Sequence, residues 1–204
     1  MNPGVIGQAI GAFAATNIDD LVVLLVFFGQ AAGHRGAAMR VVAGQYLGFI
    51  AILAVSIATA LAGSALLPPE VLPYFGLVPL ALGLRAGWIA WRTRRSEPDD
   101  PDPSVGAESR TGPGILEVAA VTFSNGGDNI GVYVPIFAVA SVSTISLFAL
   151  VFLICVALWC FGGRYFASHP VVARVLARWG HVILPVALVA IGLTILIEGG
   201  AFGI

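Results

Sequence analysis

Apolar residues fill whole stretches of this chain. No formally charged residue occurs from Val41 to Pro69 or from Asn129 to Gly163. A helix crosses a bilayer with about 20 apolar residues, so the pattern predicts an all-α polytopic membrane protein. Six spans fit, at 4–30, 41–66, 71–91, 114–139, 143–163 and 181–200. The links Leu67-Pro68-Pro69-Glu70 and Ala140-Ser141-Val142 are short, which makes the helices they join antiparallel. The stretch 92–113 is rich in Pro, Asp, Ser and Gly and has no apolar periodicity, so it reads as a disordered cytoplasmic linker. It separates a first three-helix repeat, 1–91, from a second, 114–204. Three spans per half is an odd number, so the halves lie inverted in the membrane.

Two polar clusters interrupt this pattern. Thr16-Asn17-Ile18-Asp19-Asp20 sits in the first span and Ser124-Asn125-Gly126-Gly127-Asp128-Asn129 in the fourth. Thr16-Asn17 aligns with Ser124-Asn125 at an offset of 108, which sets Asp20 on Asp128. Leu80-Ala81-Leu82-Gly83-Leu84 aligns with Val189-Ala190-Ile191-Gly192-Leu193 at an offset of 109. Together with the odd span count, the two matches predict an inverted repeat, an architecture that puts substrate sites near the bilayer midplane.

An aspartate at the centre of a membrane helix costs about 2.5–3.5 kcal/mol on insertion-based scales. Asp19, Asp20 and Asp128 accept that cost three times, which asks for a function or a partner. Asn17 and Asp20 share a helix face at i, i+3, as do Asn125 and Asp128. Asp19 and Asp20 point about 100° apart on a regular helix, so only one faces a central site unless the helix unwinds there. Gly126-Gly127 makes such unwinding easy in the fourth span and would free carbonyls. The set offers carboxylates from Asp19 or Asp20 and Asp128, amide oxygens from Asn17, Asn125 and Asn129, and hydroxyls from Thr16 and Ser124. Oxygen donors of this kind suit a divalent cation of the Mg, Ca or Mn type. The competing reading is packing glue between helices, sharpest as an ion pair of one aspartate with Arg85. Glu117 shares a face with Ser124 and Asp128 and either guides cations inward or sits at a favourable helix N-terminus. Gln45, Tyr46 and Tyr133 are weaker candidates to line a pathway.

Composition agrees. Only 10% of residues are charged and the mean hydropathy is +0.95, against about 25% charged in a soluble domain. All the cations are arginines, and nine of ten fall in the links after spans one, three and five. The positive-inside rule makes those links cytoplasmic and sets both termini outside. No basic face exists for nucleic acid. The N-terminus lacks a basic region ahead of its apolar part and reads as the first span, not a cleaved signal. Residues 170–179 predict a short amphipathic interfacial helix, with His169 and His181 beside it as interfacial histidines. Cys155 and Cys160 lie within an apolar run and indicate no disulfide framework.

The motifs Asn17-x-Asp19-Asp20, GQYLG at 44–48, GLVPLALG at 76–83, GGDNIGVYVP at 126–135 and AIGLTILIEGG at 190–200 resemble the cadmium-resistance transporter family, of the lysine-exporter superfamily. The resemblance covers nearly the whole chain outside 92–113. It implies a multi-pass protein of the bacterial inner membrane that exports Cd2+ or a related divalent ion, driven by counter-flow of protons and needing no cofactor. Its partners would be the metal cargo, protons and the lipid bilayer, with a homo-oligomer left open. Carried over, the polar motif residues are Asp19, Asp128 and Asn129; whether Asp19 or Asp20 binds metal stays open. Cd2+ is soft, yet Cys155 and Cys160 at i, i+5 point about 140° apart, a poor geometry for a shared ligand pair. Alternatives are export of Mn2+ or another divalent ion, and export of an amino acid or small solute with Arg85 as cationic anchor. An intramembrane aspartyl protease is the enzyme reading; here Asn125-Gly126-Gly127-Asp128 and Pro79-Leu80-Ala81-Leu82 depart from the motifs such enzymes share.

Overall fold

The computed structural model describes residues 3–66, 68–93, 112–167, 186 and 189–197, and among them every regular element is a helix. The chain runs through α1 (Pro3–Thr16), α2 (Ile18–Ala31) and α3 (Ala37–Leu66). A 3-10 segment (Pro69–Gly76) then leads into α4 (Leu77–Thr93). After the linker come α5 (Ile115–Asn125), α6 (Gly127–Ala138) and α7 (Val142–Phe166). By length and composition α3 and α7 can each cross a membrane, and the bent pair α1–α2 adds a third candidate. The predicted third span begins as the 3-10 segment, where Pro73 lacks the N–H that an α-helix starting at Pro69 would use at that position. The sixth predicted span lies mostly outside the described residues; within it 189–197 are helical, with Ile195 and Leu196 buried. Most of the 92–113 linker, the predicted interfacial helix, His169 and His181 also lie outside the described residues.

Two predicted spans are not continuous helices. The first bends by 59° between α1 and α2. Asn17 at the joint has φ −117° and ψ 17°, off the helical values, a conformation that asparagine tolerates better than aliphatic residues. Its N–H still closes α1 on the Phe13 carbonyl at 3.0 Å. Its own carbonyl leaves the helical ladder and accepts from Trp159 Nε1 of α7 at 2.6 Å. The fourth span breaks at Gly126, with φ −80° and ψ 16°.

The long helices pack on elements far away in the chain. α3 packs on α5 and α6, while α7 packs on α1 and α2. The GQYLG motif explains the first contact. A Cβ on Gly44 would stand 2.6 Å from the Ile115 carbonyl oxygen, and one on Gly48 2.7 Å from that of Ala119. Only glycine lets the two backbones approach that far, the small-xxx-small arrangement of membrane helices. Gly163 of α7 plays the matching part against α2, where an added Cβ would meet Leu24 Cβ at 2.9 Å.

Aromatic rings fill the centre. Phe13, Phe49, Tyr133, Phe137 and Phe152 are all buried, and Tyr133 lies 4.7 Å from Phe152 between ring centroids. Phe13 contacts Phe49, Phe152 and Trp159 edge-on or tilted. These contacts bind α1, α3, α6 and α7 into one core beside the two breaks.

Candidate functional site

The two breaks meet. Asn125, the last residue of α5, reaches the first turn of α2, where its Nδ2 donates to Asp20 Oδ1 at 2.7 Å and to Asp19 Oδ2 at 3.0 Å. Asn129, in the first turn of α6, donates from Nδ2 to Asn17 Oδ1 at 3.2 Å. Asp19 and Asp20 occupy the start of α2 and Asp128 the start of α6, where a helix dipole favours negative charge. Asp128 also accepts at Oδ1 from the Asn129 N–H at 2.9 Å. It lies close enough to Asp19 and Asp20 for their charges to interact.

Among the described residues, no three His, Cys, Asp or Glu side chains form a group that could hold a metal ion. Amides complete the arrangement instead. Asp20 is only 2% exposed, and both of its oxygens are used, since Gln45 Nε2 donates to Oδ2 at 3.4 Å. Gln45 in turn accepts from the Thr122 hydroxyl at 2.6 Å. Asp19 is partly exposed, and its buried Oδ1 has no hydrogen-bond partner; Asn129 Oδ1, also buried, has none either. Bare buried acceptors cost about 1–3 kcal/mol each. They are what a cation would satisfy.

A second set of bonds fixes the joint itself. Asn17 Nδ2 faces three acceptors: the Phe13 carbonyl at 2.9 Å, Thr16 Oγ1 at 2.9 Å and the Tyr133 hydroxyl at 2.8 Å. Thr16 and Tyr133 hydroxyls are 2.9 Å apart. The sequence marks Gln45 and Tyr133 only weakly, and Thr122 and Trp159 not at all. A lone Thr or Trp in an apolar run looks like ordinary membrane-helix composition.

Several predicted positions take other parts. Ser124 is exposed, and Gly127 has open space around its Cα. Glu117 accepts from the Gly114 N–H at 3.2 Å, so it closes the N-terminus of α5. Arg85 is exposed on α4. Gly126 acts by its size, since a Cβ there would overlap Ile52 of α3. Of the carbonyls at the breaks, that of Gly126 accepts from the Ile130 N–H at 3.1 Å and that of Asn17 from Trp159.

The structural register also differs from the sequence match. Asn17 and Gly126 each precede the second helix of a broken pair and stand 109 residues apart. That register sets Asp19 on Asp128, both partly exposed, and Asp20 on Asn129, both buried. Aligning Asn17 with Asn125 follows side-chain type; the backbone turn is made by Asn17 before α2 and by Gly126 before α6.

A family model described as Cadmium resistance transporter matches residues 13–204. No curated protein and no solved structure matches the chain.

Proposed function

Since the chain belongs to the cadmium resistance transporter family, a family of transporters and not of enzymes, we propose that it is a secondary transporter that exports a divalent heavy-metal cation, Cd2+ foremost, from the bacterial cytoplasm in exchange for protons. The observation that carries this reading is the pair of bare buried oxygens, Asp19 Oδ1 and Asn129 Oδ1, facing no donor where two broken helices meet. Asp19 and Asp128 supply charge, Asn129 a neutral oxygen, and Asp20 stays tied to Asn125 and Gln45. The Asn125 amino group bridges two carboxylates as a cation would. Carboxylates that take up protons as the metal leaves would couple the two flows.

The proposal includes six spans in two inverted halves, the arrangement of the lysine-exporter superfamily, with both termini outside. The crossed packing supports it, because each long helix lies on the broken pair of the other half. Breaks in corresponding spans are how transporters place ligands at midplane.

Mn2+ is the second reading, favoured by a donor set made only of oxygens, which suits harder ions than Cd2+. Growth of an efflux-deficient bacterium expressing the chain, on a panel of Cd2+, Zn2+, Mn2+ and Co2+, separates the two. Protection against Cd2+ is expected; protection against Mn2+ alone favours the second reading, and protection against none overturns both.

A further inference from the structure

Asn17 has the composition of a metal ligand and the bonding of something else. Its side chain is 1% exposed, and both ends are spent. Nδ2 faces the Phe13 carbonyl, which can only accept, so this amide cannot be turned around without setting oxygen against oxygen. Thr16 and Tyr133 hold the same nitrogen. With Nδ2 pinned, Oδ1 faces Asn129 and takes its Nδ2 at 3.2 Å. That contact fixes the second amide in turn. A reversed Asn129 would bring its oxygen against Asn17 Oδ1, so Asn129 keeps its nitrogen toward Asn17 and its oxygen bare.

We propose that Asn17 is a positioning residue and not a ligand: anchored by Phe13 and Tyr133, it sets the polarity of the Asn129 amide so that an oxygen, not an N–H, meets the cation. The inference rests on the metal-binding reading above. It gives the buried tyrosine of GGDNIGVYVP a function at the site, two bonds away from the oxygen it orients. Partners of this outer kind are worth about 10- to 100-fold in metal affinity.

An aspartate at position 129 would present oxygens at either end and would need no orienting neighbour. The test is therefore a cycle. Cd2+ and Mn2+ affinities are measured by calorimetry on the purified full-length protein in detergent, for wild type, Asn17→Ala, Asn129→Asp and the double variant. Asn17→Ala should weaken binding at least tenfold, by the lower bound of that range. In the Asn129→Asp background the same change should weaken it not at all, because an acceptor opposite an acceptor has been removed. Equal losses in both backgrounds would overturn the inference, as would unchanged affinity in Asn17→Ala. Asn17→Ser, whose hydroxyl can still donate to the Phe13 carbonyl but is too short to reach Asn129, tests the same link if Asn17→Ala does not accumulate in the membrane; it should show the same background dependence, and its absence counts against the inference equally. Failure of the wild type to bind either ion overturns the proposed function itself, which separates the two failures.

Discussion

Gly48 sits where packing and the polar site meet, so Gly48→Ala tests whether the site depends on how closely α3 approaches α5. The new Cβ would stand 2.7 Å from the Ala119 carbonyl oxygen and 2.7 Å from Thr122 Cβ. That is short of the optimal carbon separation by roughly 0.8 Å. Backbone cannot yield as a flexible side-chain end does, so α5 must move away by a comparable amount. Overpacking of this size costs about 1–3 kcal/mol. In a chain of 150–250 residues each kcal/mol lowers the melting temperature by about 2–4 °C. Displacement also carries Thr122 off Gln45, whose bond to Asp20 is already 3.4 Å long. The variant should therefore lose both thermal stability, by roughly 2–12 °C, and metal affinity. Tryptophan-fluorescence melting in detergent reads the first and calorimetry the second. Gly11→Ala, with nothing within 4 Å of its Cβ, is the control and should be neutral or stabilising by up to about 1 kcal/mol. If Gly48→Ala melts with that control, the contact is looser than argued and the reasoning fails.

Asp19→Asn and Asp20→Asn should separate by readout. The first removes charge from the carboxylate with a bare oxygen and should weaken metal binding by on the order of 100-fold, since charge count tunes such sites, with little change in melting temperature. The second sets an amide N–H against the donors of Asn125 or Gln45 and should cost about 1–3 kcal/mol of stability; a variant as stable as wild type would show that Asp20 is not held as described. The double change Cys155→Ala with Cys160→Ala should leave the Cd2+ dissociation constant within about twofold, because the donors are oxygens. A tenfold loss would place thiolate in the coordination shell.

The sequence carries the polar clusters and the first three-helix order clearly, because charge inside an apolar run is costly and therefore conspicuous. It also carries the break at Gly126, since paired glycines announce backbone freedom. The break at Asn17 is less legible: one asparagine in a helix is common, and what pulls its carbonyl from the ladder is Trp159, 142 residues away. The same holds for GQYLG, whose glycines look like sequence signature until α5 is seen lying on them. Glu117 is ambiguous in the sequence because its partner, the Gly114 N–H, is supplied only by the turn that starts α5. Side-chain identity pairs Asn17 with Asn125, whereas the backbone breaks pair Asn17 with Gly126, so side-chain type and backbone geometry diverge at Asn125-Gly126.

The central claim is that the junction of the two broken helices carries a divalent cation across the bilayer. Proteoliposomes with reconstituted full-length chain, an imposed proton gradient and labelled Cd2+ or Mn2+ test it most directly, comparing wild type with Asp128→Asn. The account predicts metal movement by wild type that collapses with the proton gradient, and movement by Asp128→Asn no faster than protein-free vesicles. Transport by Asp128→Asn at the wild-type rate would contradict it.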